Sequence, residues 1–518
     1  MGLAAAVLAL WPAGATAAPG NLDPLFGSGG VARIRFAEGR SEGLFVQPAS
    51  DGDAVVGGEV SGPDSDRYVY WALVRLDRFG IPDPSFGQNG RVVHRFHPGA
   101  HETSQLHGLG VQPDGRIVAG GSSLLDEDPS LIARFTEAGA LDTSFGQNGL
   151  AAPPPVRQWE LVKMAVASDG SIYAFGYGCA PASPAQFCSD SVLVRWTKDG
   201  AVDTGFGSGG AIETTPAVIA VDLATQGTKA LVAGVGQDKR GRVARYEANG
   251  APDGGFGGGG LAELPAGYTG SEVAAGPKGE VAVGVRNISD NLSGLVRLLG
   301  NGSPDPGFGS GGLAARSPDE QIDDIAVMPS GRIVDALQQG DGTMPERWTT
   351  GGQLDAEWSP PQVKYWRGAR GLATLPDERL LVTGGVDLGG AEDVAVLRLR
   401  ESGPGADVRP VAKTQKFGAV AKKGLAVDFG CVAACSAVAQ LEAAPSLLTA
   451  ARKKPVVVAS AKRNLGRGAA GLLTLKLTAL AKKKLAKRKS SKLTLRVTIT
   501  APGEPQAVVR TQSLTLKR

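Results

Sequence analysis

The sequence predicts an all-β protein, a seven-bladed β-propeller followed by a small β-sandwich. Three observations predict it: a turn phrase that recurs seven times, four short alternating strands in each period, and a switch from an acidic body to a basic tail. The composition agrees. Gly (75) and Pro (33) punctuate a 518-residue chain that is 42% hydrophobic and only 20% charged. That is too rich in turn formers for a helical bundle and too apolar for a disordered chain. The length also exceeds what one core serves, so two or more units are expected.

The chain opens MGLAAAVLALWPAGATAAPG. An apolar stretch from Leu3 to Trp11, then Pro12, Gly14 and the small residues Ala15-Thr16-Ala17, reads as an export signal over residues 1–17, although no Lys or Arg stands near the start. No other stretch reaches 18 apolar residues, so no membrane span is expected. Cysteine usage fits export. Cys179 with Cys188, and Cys431 with Cys435, form two close pairs, each most simply a local disulfide in an oxidising compartment. For Cys431 and Cys435 the Cα atoms must come within about 7 Å, so the chain between them must turn.

Residues 21–400 carry the repeat. Asp-x-x-Phe-Gly appears as DPLFG, DPSFG, DTSFG, DTGFG, DGGFG and DPGFG, with a variant DAEWS. Its aspartates are Asp23, Asp83, Asp142, Asp203, Asp253, Asp305 and Asp355. An Asp-Gly-like turn before an apolar strand recurs as well, for example QPDGRIVAGG from Gln112; at Gln226-Gly227 it is degraded. The third landmark is an arginine in a short apolar strand: Arg75, Arg134, Arg195, Arg245, Arg297, Arg347 and Arg398. In the first repeat the four strands read Val31–Phe36, Gly43–Pro48, Ala54–Val60 and Tyr68–Leu76. A parallel β-helix needs shorter coils and ranks behind the propeller. Each Asp is expected to hold its turn through backbone N–H groups two residues on, and each Phe to anchor it.

In six repeats the arginine precedes the next aspartate by eight residues, from Arg75–Asp83 to Arg347–Asp355. This spacing predicts a charge-assisted pair at each junction. Arg398 and Asp23 are left over, which predicts that a closed ring brings the first and seventh repeats together and pairs these two.

The run from the Arg strand through D-x-x-FG-x-x-G to the PDG-x-I strand resembles the delta-60 repeat family of bacterial exported proteins. The resemblance implies a propeller-like exported domain and carries no catalytic residues. It weakens at the seventh repeat, where Trp358-Ser359 replaces Phe-Gly.

Motifs that suggest chemistry give way to structure. G-x-G-x-x-G occurs at Gly205, Gly255 and Gly307, but these glycines belong to the repeat turn and precede strands rather than a helix. Gly39 to Gly43 matches the nucleophile elbow, again without a helix after it. The four histidines, His94, His97, His101 and His107, read as a surface loop, with a weak transition-metal site as the alternative. No catalytic, cofactor-binding or metal-ligating residue is nominated.

Residues 401–410 read as a linker and 411–518 as a basic immunoglobulin-like β-sandwich, with Leu480–Ser490 as a helical connection. From Ala406 onward there are 23 Lys and Arg against 4 Asp and Glu, leaving 31 against 47 before it. Nucleic acid is set aside because few aromatics interleave the cations. An anionic cell-wall polymer is the expected counterpart. The resulting expectation is a secreted or cell-surface interaction or scaffold protein without catalysis, its propeller binding an unknown protein or glycan. The alternative is a propeller enzyme, hydrolase or lyase, acting on polysaccharide in the central channel. An enzyme should place two or more carboxylates, or a His with a carboxylate, in the channel mouth. A binding propeller should show a polar or aromatic rim without such a pair.

Overall fold

The structure, a computed structural model, describes residues 19–49, 52–62, 65–96, 103–123, 130–179, 190–214, 218–287, 289–316, 320–338, 342–387, 392–400, 406–408, 414–431, 435–448, 455–466, 469–500 and 507–518. The signal-like segment, Cys188, His97 and His101 lie outside these residues. Two units emerge, Val31–Leu399 and the combination of Met1–Gly30 with Arg400–Arg518. The described residues are strand and turn apart from two short α-helices and one 3-10 turn.

The Val31–Leu399 unit holds seven small antiparallel sheets among the described residues. The first comprises Ser41–Pro48, Ala54–Gly62, Ser65–Leu76 and Arg91–His94; the second Ser104–Val111, Ile117–Ser123 and Ser130–Phe135. The third comprises Arg157–Val166, Ile172–Cys179, Asp190–Trp196 and Ala211–Glu213; the fourth Ile219–Gln226, Lys229–Val235, Gly241–Tyr246 and Leu261–Glu263. The fifth comprises Thr269–Ala275, Val281–Asn287, Leu292–Leu298 and Leu313–Arg316; the sixth Ile322–Val327, Ile333–Leu337 and Glu346–Trp348. The seventh takes Trp366–Thr374, Leu380–Asp387 and Glu392–Leu399, and its fourth strand is Val31–Ile34 from the beginning of the chain.

Sheet and sequence repeat are therefore out of phase by one strand. Val31 pairs with Leu397 and Ile34 with Val394, so the first and seventh repeats are neighbours. The first strands of the seven sheets also touch in succession, and Ser41–Pro48 touches Trp366–Thr374 to complete the cycle. Among the described residues two sheets lack a fourth strand, for a visible reason. Pro153, Pro154 and Pro155 in one, and Pro360 and Pro361 in the other, follow the turn where that strand would run, and proline has no N–H for a ladder.

Neighbouring sheets bury apolar faces against one another. Leu231, Val243 and Phe256 of one repeat, for example, share a core with Val281, Val283 and Val296 of the next.

In the other unit, Ala406–Val408, Leu425–Cys431 and Ala469–Leu475 form one sheet. Thr414–Lys416, Val508–Lys517, Ser490–Thr500, Cys435–Ala443 and Val456–Leu465 form a second, in that order. Strict alternation over Ser490–Thr500 points Leu493, Leu495, Val497 and Ile499 into a core shared with Val427 and Phe429 of the first sheet. The helix Ala479–Leu485 is capped by Thr478, whose Oγ1 accepts the Ala481 N–H at 3.3 Å. A disulfide joins Cys431 to Cys435, with Cα atoms 6.2 Å apart.

Candidate functional site

A cavity of about 380 Å³ opens among the first strands of the seven sheets. Each of those strands carries a β-bulge, one extra residue that re-aims its neighbours: Leu44, His107, Val162, Val221, Ser271, Asp323 and Arg370. Through these bulges the cavity receives Phe45, His107, Lys163, Asp222, Glu272, Asp323 with Asp324, and Arg370, at least one from every sheet.

The charged members are tied together. Lys163 Nζ lies 3.2 Å from Asp222 Oδ1 and 3.5 Å from Glu272 Oε2. Asp222 Oδ2 accepts the N–H of Val273 in the next sheet at 2.7 Å, and Asp324 Oδ2 accepts that of Leu372 at 2.6 Å. Arg370 joins Glu42 at 2.8 Å and Asp323 at 3.0 Å. The His107 Nδ1 lies 2.6 Å from the Leu161 carbonyl. A carbonyl only accepts, so Nδ1 carries the hydrogen, and in the neutral ring Nε2 keeps its lone pair.

Burial shapes the protonation of this group. It raises Glu272 well above the usual carboxylate range, and the nearby Asp222 charge raises it further. Burial pushes Asp324 up to about 7. For Lys163 burial works against the charge, yet Asp222, Glu272 and Asp324 hold its ammonium above the usual lysine range.

The repeat turns lie elsewhere and are built alike. Arg134 Nε meets Asp142 at 2.9 Å, Arg245 meets Asp253 at 2.6 Å, Arg297 meets Asp305 at 2.8 Å, and Arg347 Nη2 meets Asp355 at 2.7 Å. Arg195 pairs with Asp203, and Arg75 reaches Asp83 at 3.6 Å. In each turn the second carboxylate oxygen accepts a backbone N–H two residues on, as Asp253 Oδ1 does from Gly255 at 2.9 Å. Asp23 does the same with Leu25 at 3.1 Å. The anchoring rings are buried, and Arg245 also stacks over Phe256 at 4.4 Å. Gly207 shows why glycine follows the ring: its φ is +55°, and a Cβ there would lie 2.3 Å from the Ala211 carbonyl oxygen. Its N–H donates to the Asn249 carbonyl, one repeat later. Arg398 donates from Nη1 to the Arg78 carbonyl.

The histidines expected in a surface loop prove to stand partly in strands, His94 in Arg91–His94 and His107 in Ser104–Val111, where it lines the cavity; the other cavity residues were passed over because they differ from repeat to repeat. A signal was nonetheless present. The residues that follow the bulges in six sheets, Phe45, Gly108, Lys163, Glu272, Asp324 and Gly371, each stand six residues before the Asp position of the Asp-Gly-like turn, occupied by Asp51, Asp114, Asp169, Lys278, Ser330 and Asp377.

In the other unit the cations gather around one connection. Lys482, Lys483 and Lys484 end the short helix, and Lys487, Arg488 and Lys489 fill the turn that follows. Lys517 pairs across from Ser490 at the start of the next strand. No ion pair among the described residues involves these side chains. Among the described residues no group of His, Cys, Asp and Glu is placed to hold a metal ion, and no helix is long and apolar enough to cross a membrane.

Residues 112–145 match a family model described as "Domain of unknown function (DUF5122) beta-propeller". No curated protein matches the chain. Among solved structures, a protein of unknown function from Dyadobacter fermentans is 12% identical with a TM-score of 0.39, covering 76% of this chain and 100% of its own. Prolyl oligopeptidase B from Galerina marginata is 11% identical with a TM-score of 0.42 over 76% of this chain, which spans 55% of that enzyme. Regucalcin from Agrobacterium tumefaciens, titled a calcium-binding protein, is 12% identical with a TM-score of 0.31, covering 71% and 95% of the two chains. The matched family segment runs from the Asp-Gly-like turn at Gln112 through Arg134 to Asp142 and Phe145, one copy of each of the three landmarks.

Proposed function

We propose that the chain is an exported, non-catalytic interaction protein. Its binding platform is a seven-bladed β-propeller spanning residues 21–400. A linker leads to an immunoglobulin-like sandwich that begins at the strand Ala406–Val408, inside the stretch 401–410 expected as linker, and associates with anionic polymer of the cell envelope. The observation that carries this reading is the commitment of the cavity's charged groups to the ring itself. Asp222 and Asp324 hold the backbones of adjacent sheets, and Lys163 and Arg370 are ion-paired. Such groups stiffen a site and present fixed dipoles to a ligand. The cations at Lys482–Lys489, which make no ion pair among the described residues, support the envelope role, because surface cations not neutralised by carboxylates attract a polyanion strongly at low salt. The test is co-sedimentation of the full chain with poly(glycerol phosphate)-bearing cell walls across a salt series. Binding at low salt that fades steeply toward 0.5 M, and is weakened by replacing Lys482, Lys483 and Lys484 with Gln, is expected, with a screening length of about 4–10 Å over that range. Absence of binding at the lowest salt overturns the envelope role.

A second reading, an enzyme acting on polysaccharide, is favoured by one observation. Glu272 lies beside Asp222 inside the cavity, and burial with the Asp222 charge raises its carboxyl well above the usual range, the direction a general acid needs. The carboxylates gathered there meet by number the criterion for a catalytic channel. Release of reducing ends from a purified polysaccharide by the wild type, abolished in Glu272→Gln, decides for the enzyme.

A further inference from the structure

The seven bulges turn a set of dissimilar residues into one ring, and that ring is uneven. Sheets three to six contribute Lys163, Asp222, Glu272 and Asp324, while sheet one contributes Phe45, a half-buried residue that lines the cavity and also packs against the core between the first two sheets. In sheets two and seven the residue after the bulge is glycine, Gly108 and Gly371. Cβ atoms on these would lie 2.8 Å from Met164 Cβ and 2.5 Å from the Leu44 carbonyl oxygen, so close packing between sheets keeps both positions bare. An arc of fixed hydrogen-bonding groups thus shares one cavity with an aromatic ring. We infer that the cavity is a binding site for a neutral saccharide unit, its C–H face on Phe45 and its hydroxyls toward Lys163, Asp222 and Glu272.

This rests on reading the central cavity as the binding site of the platform, and it names the ligand class. Three chemistries compete, and the lining decides among them. A metal ion is disfavoured because the Lys163 ammonium already occupies the place between Asp222 and Glu272, at 3.2 Å and 3.5 Å. A strongly charged ligand of either sign meets both signs in the lining, since Lys163 and Arg370 are interleaved with the carboxylates. A sugar hydroxyl both donates and accepts, so it suits carboxylates fixed by cations and an ammonium fixed by carboxylates. Its ring also presents the apolar C–H face that an aromatic side chain covers. The volume of about 380 Å³ lies in the range of roughly 300–1,000 Å³ typical of small-molecule sites.

The experiment is calorimetric titration of the full chain with five probes: cellobiose, maltose, N,N′-diacetylchitobiose, spermidine and glucuronate. At least one of the three neutral disaccharides is expected to bind. Phe45→Ala should weaken it about tenfold, Phe45→Tyr should retain it, and Lys163→Met should weaken it with the fold intact by circular dichroism. Failure of all three neutral sugars, or binding unchanged in Phe45→Ala, overturns the inference. If glucuronate binds instead and is lost in Lys163→Met, or spermidine binds instead and is strengthened in it, the saccharide assignment falls while the cavity stands as the platform's site. If no probe binds, both fall.

Discussion

Asp253 accepts from Arg245 and from Lys229, each within 2.7 Å, while its other oxygen holds a backbone N–H. Burial alone would raise its carboxyl, but the hydrogen bonds from Lys229, Gly255 and Arg245 hold it at about 2. Asp253→Ala should therefore cost about 3–5 kcal/mol, because it strands a buried guanidinium. Asp83→Ala, at a looser and more exposed pair, should cost about 1 kcal/mol or less. Urea unfolding of the two variants checks the contrast. The cavity carboxyls act in the opposite direction. A folded-state pKa of about 7 for Asp324 means that the native state keeps a proton which the unfolded chain releases near pH 4. Stability should thus decline as pH rises from about 4 to about 7, and Asp324→Asn should flatten that decline. Asp253, with its depressed pKa, contributes stability above its unfolded value that is lost as pH falls toward about 2. Melting temperature against pH, wild type beside Asp324→Asn, tests both limbs. The Arg–Asp spacing was legible because it recurs unchanged, whereas Lys163, Asp222 and Glu272 are alike only in position.

At the scale of elements, four strands per period was readable from alternation, and their assembly was not. Strand pairing is a long-range choice, and nothing local tells Val31–Ile34 that its partner is Glu392–Leu399. The missing fourth strands were readable in principle, from Pro153–Pro155 and Pro360-Pro361. The degraded turn at Gln226-Gly227 proves to be a tight hairpin in which Gln226 pairs with Lys229, the lysine that reaches Asp253. The helix expected within Leu480–Ser490 spans Ala479–Leu485, since Lys487, Arg488 and Lys489 turn the chain into the next strand. Between Leu425–Cys431 and Cys435–Ala443 the disulfide closes a very short loop. Chain entropy gives such a loop about 2 kcal/mol, so Cys431→Ser should lower stability by that amount. Reduction with dithiothreitol should reproduce the loss in wild type and leave the variant unchanged, read by calorimetry.

For the molecule as a whole, the Val31–Ile34 strand makes the Val31–Leu399 unit continuous from its first residue to its last. Ile34 is fully buried in that seam. Ile34→Asp should place an unpaired charge there and cost about 3 kcal/mol or more, unless the seam opens. A single, lowered thermal transition for the unit is the expected result. A partial transition that leaves the other six sheets unaffected would show that closure and the remaining sheets are not coupled. Circular permutation that opens new termini between Ile34 and Ser41 and joins residue 400 to residue 21, so that the Asp23 turn is kept, should fold as well as the native order.

The same seam sets an order of events in time. A chain made from its N-terminus must hold Val31–Ile34 without a partner until residue 392 has emerged, more than 350 residues later. At about 5–20 residues per second that wait lasts roughly 20–70 s, longer than hairpin formation by many orders of magnitude. The first six sheets can therefore assemble as their strands arrive, while the last locking step is deferred to the end of synthesis. During the wait the unpartnered Val31–Ile34 strand is available to other chains, and a Glu392–Leu399 edge newly made on a neighbour can take it. Two nascent copies that exchange this strand would make a domain-swapped dimer, so rapid dilution during refolding should favour the monomer.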